Sequence, residues 1–206
     1  MFTSGLYAIT PADWPAARLL PAVDQALAGG IAALQYRAKP TPDRELARAL
    51  LARCRQAGVP LIINDDLATA EAIGADGVHL GRDDGSLTAA RQRLGPHALL
   101  GVSCYNDMAR ARQAVADGAD LIAFGSLFSS PTKPQAVSCP LSLLTEARTL
   151  GPTVCGIGGV TLERAAGAIE AGAELLAVIS DLFEADDISA RAQAYARLFA
   201  NHQTTA

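Results

Sequence analysis

Six clusters of polar residues stand where short apolar runs end, and their types suit anions and one hard cation. Gln35, Arg37 and Lys39 occupy alternate positions in ALQYRAK. Alternation along a strand places all three on one side. Arg offers a planar fork and Lys a mobile point charge, so the trio suits a diphosphate. The competing reading is an outward edge that pairs with acidic helix residues. Asn64, Asp65 and Asp66 close PLIINDD, and Asp83 and Asp84 follow GVHLGR at the matching point of the next unit. Carboxylates from adjacent strand ends can share Mg²⁺, which takes one or two of them plus waters and phosphate oxygens. One Asp of each pair could instead cap the helix that follows, in DDLATAEAI and DDGSLTAA. Ser103 ends LLGVS, where it could touch a substrate or begin a turn, and no His and Asp spacing makes it a triad nucleophile. Ser129, Ser130, Thr132 and Lys133 sit in one loop, and hydroxyls, backbone N–H groups and a Lys are what an anion site needs. A solvated loop with a chance Lys would look the same. Gly156-Ile157-Gly158-Gly159 and Val178-Ile179-Ser180 follow the last two apolar runs. Glycines admit a phosphate close to the backbone, and DLFEADD could start a short helix whose N-terminus faces it. Tight strand–helix packing would also explain these glycines.

These residues need elements that bring them to one place. The apolar runs LYAIT, ALQYRAK, PLIINDD, GVHLGRDD, LLGVSC, LIAFGSLFSSPTK, TVCGIGG and LLAVIS read as strands covered on both faces. We place strands near 5–10, 33–37, 60–64, 77–81, 99–103, 121–126, 153–157 and 175–179. Helices fill 16–29, 42–57, 67–73, 86–94, 106–117, 140–149, 161–171 and 188–200. One unit recurs: an Ala-rich helix ends at Gly, and a strand follows, as in AIGADGVHL, VADGADLIAFG and IEAGAELLAVIS. Gly fits the left-handed position past a helix C-terminus. This alternation predicts a parallel α/β sheet closed as a (β/α)8 TIM barrel, whose chemistry lies at the strand C-termini. The longest loop, 127–139, is of a length that in a minimal barrel serves function.

At 206 residues the chain reads as a single TIM-barrel domain over 1–206, with a frayed tail at about 201–206. A net charge of −4 without a basic block argues against nucleic acid as a partner. No apolar stretch reaches the roughly 18 residues of a membrane span. MFTSGLYAIT lacks the basic and apolar regions of a signal peptide, so a cytoplasmic location is expected. Cys54, Cys104, Cys139 and Cys155 show no CxxC spacing and read as reduced core residues. His79, His97 and His202 lack metal-ligand spacing, and His79 within GVHLG reads as a packed strand residue. The outer helix faces are similarly Ala-rich throughout and so do not set the oligomeric state, which leaves a homo-oligomer open.

The motifs QYRAK, INDD, GVHLGRDD, LGVSC, FGSLFSSPTKP, GIGGV and AVIS, in this order over nearly the whole chain, resemble the thiamine-phosphate synthase family. The resemblance implies a Mg²⁺-dependent transferase of thiamine biosynthesis. Such an enzyme joins 4-amino-2-methyl-5-hydroxymethylpyrimidine diphosphate to 4-methyl-5-(2-phosphoethyl)thiazole, or its carboxylate. It releases thiamine phosphate and pyrophosphate through a dissociative pyrimidine-cation mechanism. By the same resemblance Gln35, Arg37, Lys39, Asn64, Ser103 and Lys133 would hold the pyrimidine diphosphate, with Arg37, Lys39, Ser103 and Lys133 catalytic. Asp65 and Asp84 would bind Mg²⁺. Ser130 and Thr132 would contact the thiazole phosphate, and Gly159, Ile179 and Ser180 would cradle it. Arg82 stands where the family often has Gln, Ser130 replaces a common Thr, and one extra residue lies between Asp84 and Ser103. The rivals are a thiazole tautomerase, which uses a His where Cys104-Tyr105-Asn106 stand here, another sugar-phosphate barrel, and a catalytically silent thiamine-precursor binder.

Overall fold

The first strand, β1 (Gly5–Ile9), hydrogen-bonds to both the second strand and the last, so the sheet has no edge. The remaining strands are β2 (Ala33–Tyr36), β3 (Leu61–Asn64), β4 (Gly77–Leu80), β5 (Leu99–Tyr105), β6 (Leu121–Phe124), β7 (Thr153–Ile157) and β8 (Leu175–Val178). All pair in parallel and in sequence order. Between them run α1 (Ala16–Ala28), α2 (Arg44–Ala57), α3 (Leu67–Ile73), α4 (Leu87–Leu94), α5 (Met108–Ala116), α6 (Ser142–Ala147) and α7 (Leu162–Glu170). A short α8 (Ser180–Phe183) and a long α9 (Ile188–Thr205) complete a (β/α)8 TIM barrel. The computed structural model describes residues 2–128 and 138–205.

The strands are apolar almost throughout because each faces two cores. Tyr7, Ile9, Ala33, Ile62, Leu121, Ala123, Cys155, Leu175 and Ala177 fill the barrel lumen. Their sequence neighbours, among them Leu6, Leu34, Ile63, Val78, Ile122, Phe124 and Leu176, pack under the helices. Single-residue alternation inside an apolar run therefore separates lumen from outer layer. On that parity Gln35, Asn64, His79, Ser103, Ile157 and Ile179 all belong to the lumen side. Alanines such as Ala47, Ala90, Ala111, Ala165 and Ala168 are fully buried and let the helices approach the sheet closely. The four cysteines are buried and free, as core residues.

The recurring unit has a physical basis at two positions. Its glycine takes positive φ each time: Gly30, Gly58, Gly74, Gly118 and Gly172. The acid that follows ties the barrel floor. Asp76 accepts from the Leu61 N–H at 2.8 Å, Asp120 from Leu100 at 2.9 Å and Glu174 from Val154 at 3.1 Å. Each joins the start of one strand to the strand before it. Function is thereby left to the opposite end.

Strand positions agree with the sequence pattern within one or two residues. The largest differences are of two residues: β6 ends early, at Phe124, and β5 runs on to Tyr105 through a register shift between Ser103 and Tyr105. Two helices end differently. After α6 the chain tightens into a 3₁₀ turn, Arg148–Leu150, and α9 continues to Thr205 because no Gly or Pro follows Ala200 to stop it. Among the described residues no helix is long and apolar enough to cross a membrane.

Candidate active site

On the β2–β5 side, the polar residues converge. Arg37 is one residue past β2, with its backbone clamped by buried Thr10, which ends the first apolar run. The Thr10 hydroxyl accepts from the Arg37 N–H at 2.9 Å and donates to the Arg37 carbonyl at 3.0 Å. Below it, Gln35 is buried in the lumen and its Nε2 donates to Tyr7 Oη at 2.9 Å. Lys39 lies three residues past the end of β2 and is exposed. Strand alternation therefore does not extend to Lys39, and loop geometry sets its direction.

Asp65 follows β3 in the left-handed region, φ 63°. Its N–H donates to the His79 carbonyl at 2.9 Å, which holds this turn against β4. A left-handed non-Gly residue stores strain, and Asp tolerates it better than most. The side chain faces Asp84. Burial first, then the Asp84 carboxyl beside it, push Asp65 up to about 6, while Asn64 and the Arg37 cation pull the other way. Asp84 is anchored by the Gly81 N–H, which donates to Oδ2 at 2.8 Å. Two carboxylates, a guanidinium and an amide thus share one corner of the mouth. Such a pair repels itself until a cation intervenes. Carboxylate oxygens are the donors that Mg²⁺ takes, one or two at a time, so these residues fit that ion.

The partner Asp residues have other work. Asp66 caps α3, accepting from Thr69 N at 2.8 Å and from Thr69 Oγ1 at 3.1 Å. In the second pair neither Asp caps. Ser86 caps α4 by accepting from Ala89 N, and Asp83 is exposed.

Ser103, on β5, has its hydroxyl 3.0 Å from His79 Nε2. His79 is buried in the lumen, and burial pulls its imidazole down to about 4, so the ring is neutral near pH 7. Arg110 on α5 braces this corner, donating from Nε to the Ser103 carbonyl at 2.7 Å and from Nη2 to Gly81 O at 2.9 Å. The register shift after Ser103 throws Tyr105 outward at φ 59°. Its ring stands 5.2 Å from the Arg82 guanidinium and 5.9 Å from that of Arg110.

The β6–β8 side is made of backbone. Gly158 and Gly159 follow β7 with φ 95° and 63°. A Cβ on Gly158 would lie 2.3 Å from Ser126 Oγ and 2.7 Å from Ser126 Cα. The Phe128 N–H donates to Gly158 O at 3.0 Å, and Cys139 N–H to Ser126 O at 2.8 Å. Both described ends of the long loop are therefore fastened beside this glycine turn. Ser130, Thr132 and Lys133 lie outside the described residues. Ile179 leads from β8 into α8, and Ser180 is its exposed first residue. Asp181 holds α8 in place: it accepts from Tyr195 Oη at 2.7 Å, Arg191 Nη1 at 2.8 Å and the Leu162 N–H at 3.3 Å. The last of these ties the start of α7 to the start of α8.

A mouth with a charged corner, a glycine turn and a short helix after β8 has close relatives. A profile of the thiamine monophosphate synthase family matches residues 6–182. The chain belongs to that family. A thiamine-phosphate synthase from Azoarcus sp. strain BH72 is 57% identical over 200 residues, spanning 95% of this chain and 97% of that one. One from Methylobacillus flagellatus is 52% identical over 198 residues, spanning 95% of each. The solved thiamine phosphate pyrophosphorylase of Pyrococcus furiosus superposes with a TM-score of 0.83 at 27% identity, covering 96% of both chains. Like its thiamine-phosphate synthase relatives, the chain is an enzyme of the transferase class.

For a thiamine monophosphate synthase family member, the sequence pattern finds the residues at strand ends and misses those that steady them. Thr10 carried the same signal as the others, a polar residue closing an apolar run. Tyr7 and His79 carried only lumen parity. Arg110 and Tyr105 carried none, because their places follow from a bulge and a helix docking.

Proposed function

We propose that this chain is a thiamine-phosphate synthase that couples 4-amino-2-methyl-5-hydroxymethylpyrimidine diphosphate with a thiazole phosphate. The facing of Asp65 and Asp84, with Arg37 and Asn64 beside them, carries this reading. It is a site for a diphosphate that arrives with a hard cation.

Asp65 and Asp84 would hold Mg²⁺, whose chemistry there is charge neutralisation on diphosphate oxygens. Arg37, Lys39 and Lys133 stabilise negative charge as the bond from methylene carbon to oxygen breaks and pyrophosphate departs. Ser103 hydrogen-bonds the diphosphate side of the pyrimidine substrate. Gln35 and Asn64 hold and orient it. The amino-pyrimidine ring spreads the positive charge left on the methylene carbon. The thiazole phosphate is gripped by Ser130 and Thr132 and by the backbone at Gly159, Ile179 and Ser180. Its ring nitrogen then donates a pair to the methylene carbon, forming the C–N bond. Positioning supplies much of the remaining acceleration, and no covalent bond to the enzyme is required.

The test is a coupling assay with purified protein, both substrates and Mg²⁺, with thiamine phosphate read as fluorescent thiochrome after oxidation. Product that disappears with EDTA is the expected result. Absence of product from folded protein would overturn the assignment and move attention to tautomerisation of the thiazole.

A further inference from the structure

His79 has a place in the geometry and none in the reaction as proposed. It projects from β4 into the lumen and is 6% exposed. Nε2 meets Ser103 Oγ at 3.0 Å, whereas among the described residues buried Nδ1 has no hydrogen-bond partner. The cause of that isolation lies across the strand pair. Gly101 is the register partner of His79 on β5, and the ring lies over it so closely that a Cβ at Gly101 would stand 2.5 Å from Nδ1. Glycine is what lets the imidazole lie there.

A neutral imidazole has one N–H and one bare nitrogen. With the hydrogen on Nδ1, a buried donor would have no acceptor among the described residues, a state folded proteins avoid. With the hydrogen on Nε2, the ring uses the one partner it has. We propose that His79 is a positioning residue in the Nε2–H tautomer, which donates to Ser103 Oγ and so frees the serine hydrogen to point into the barrel mouth. The consequence for chemistry is one of sign. A hydroxyl that accepts from His79 turns its own hydrogen toward a diphosphate oxygen. A hydroxyl that donated to His79 would turn lone pairs toward the same anion and repel it. The inference rests on the proposed reading of Ser103 as a residue that faces the diphosphate.

The first test reads the tautomer in the wild-type protein with no substrate present. Histidine labelled with ¹⁵N is incorporated, and long-range proton–nitrogen correlations distinguish protonated from bare ring nitrogens. His79 is assigned among the three histidines by the signal lost in His79→Gln. A neutral ring with hydrogen on Nε2 is expected near neutral pH. Hydrogen on Nδ1, or on both nitrogens, overturns the proposal. The second test is kinetic. His79→Gln keeps an amide N–H within reach of Ser103 and is expected to hold kcat within about 5-fold. His79→Leu removes the donor and is expected to lower kcat by about 10-fold or more, with KM for the thiazole phosphate unmoved. In a Ser103→Ala background the same Leu change should cost nothing further. An equal loss in that background would show that His79 only packs the lumen, and would overturn the proposal. Should His79→Leu fail to fold, the spectrum of the wild type and the Gln variant still decide. A Ser103→Ala enzyme with normal kcat overturns the reading of Ser103 itself, whereas an Nδ1–H spectrum overturns only the role of His79.

Discussion

From β2 to β5 the barrel mouth presents side chains: Arg37, Asn64, Asp65, Asp84 and Ser103. From β6 to β8 it presents backbone: the Gly158-Gly159 turn, Ile179 and the first residue of α8. The first half holds like charges together and places Asp65 and Tyr105 in left-handed conformations. The second is held by a partly buried carboxylate, Asp181, that accepts three hydrogen bonds. The difference matches what each half would be asked to do. Where charge must move as a diphosphate leaves, the protein needs groups that carry charge, and it accepts their repulsion. Where a phosphate is only held, N–H groups and close approach are enough.

The sharpest way to break this comparison is to remove charge from the first half. Asp65→Ala and Arg37→Ala should each lower kcat by about 100-fold or more while leaving the far-UV spectrum and cooperative unfolding intact. Near-normal turnover in either would erase the distinction. In the second half, shape should matter more than charge. Gly158→Ala must move Ser126 and adopt an unfavourable φ. It should destabilise the fold by about 1–3 kcal/mol in urea and raise KM for the thiazole phosphate more than for the pyrimidine diphosphate. Asp181→Ala leaves Tyr195 Oη without its acceptor. The expected loss is about 2 kcal/mol, again with the larger KM change on the thiazole phosphate. An effect confined to the pyrimidine substrate would reverse the assignment of the two halves.

A pH series sharpens the first half further. The folded value of Asp65, about 6, lies above the ordinary 3.8, so the fold holds this proton more tightly than the unfolded chain does. In metal-free protein that contribution to stability is complete below about pH 4 and is lost as pH rises through about 6. Mg²⁺ runs the opposite way, because only the carboxylate ligates. The rise in Tm on adding Mg²⁺ should therefore grow from about pH 5 to 7 and level off above. Asp84→Asn removes the neighbouring charge. It should move that growth to lower pH and raise the metal-free Tm at pH 8 by about 1–3 °C. The smallest effect belongs to Asp83→Ala, expected within about 0.5 kcal/mol of wild type and without change in kcat.

How much of this was legible in the chain varies residue by residue. The eight strands and the helix-ending glycines follow from local pattern, since a run buried on both faces and a left-handed C-cap each leave a local mark. Arg37, Asn64 and Ser103 were legible as polar residues closing such runs. Which Asp of each pair faces its counterpart was legible only through the family resemblance, which named Asp65 and Asp84, because local pattern treats Asp65 and Asp66 alike and their backbone conformations differ only in the fold. The Asp84 contact itself was not legible, because it depends on how β3 and β4 register.

The sequence by itself determined the strand–helix alternation, its closure into a barrel and the end of the barrel that carries the polar residues. These are consequences of periodicity and of which residues stop a run. Only the tertiary structure decided the pairings between elements: Gln35 with Tyr7, His79 with Ser103 over Gly101, Asp65 with Asp84, and Asp181 with Tyr195. Those contacts join residues 14 to 28 positions apart. Inter-strand register and helix docking set them, and no local spacing encodes either.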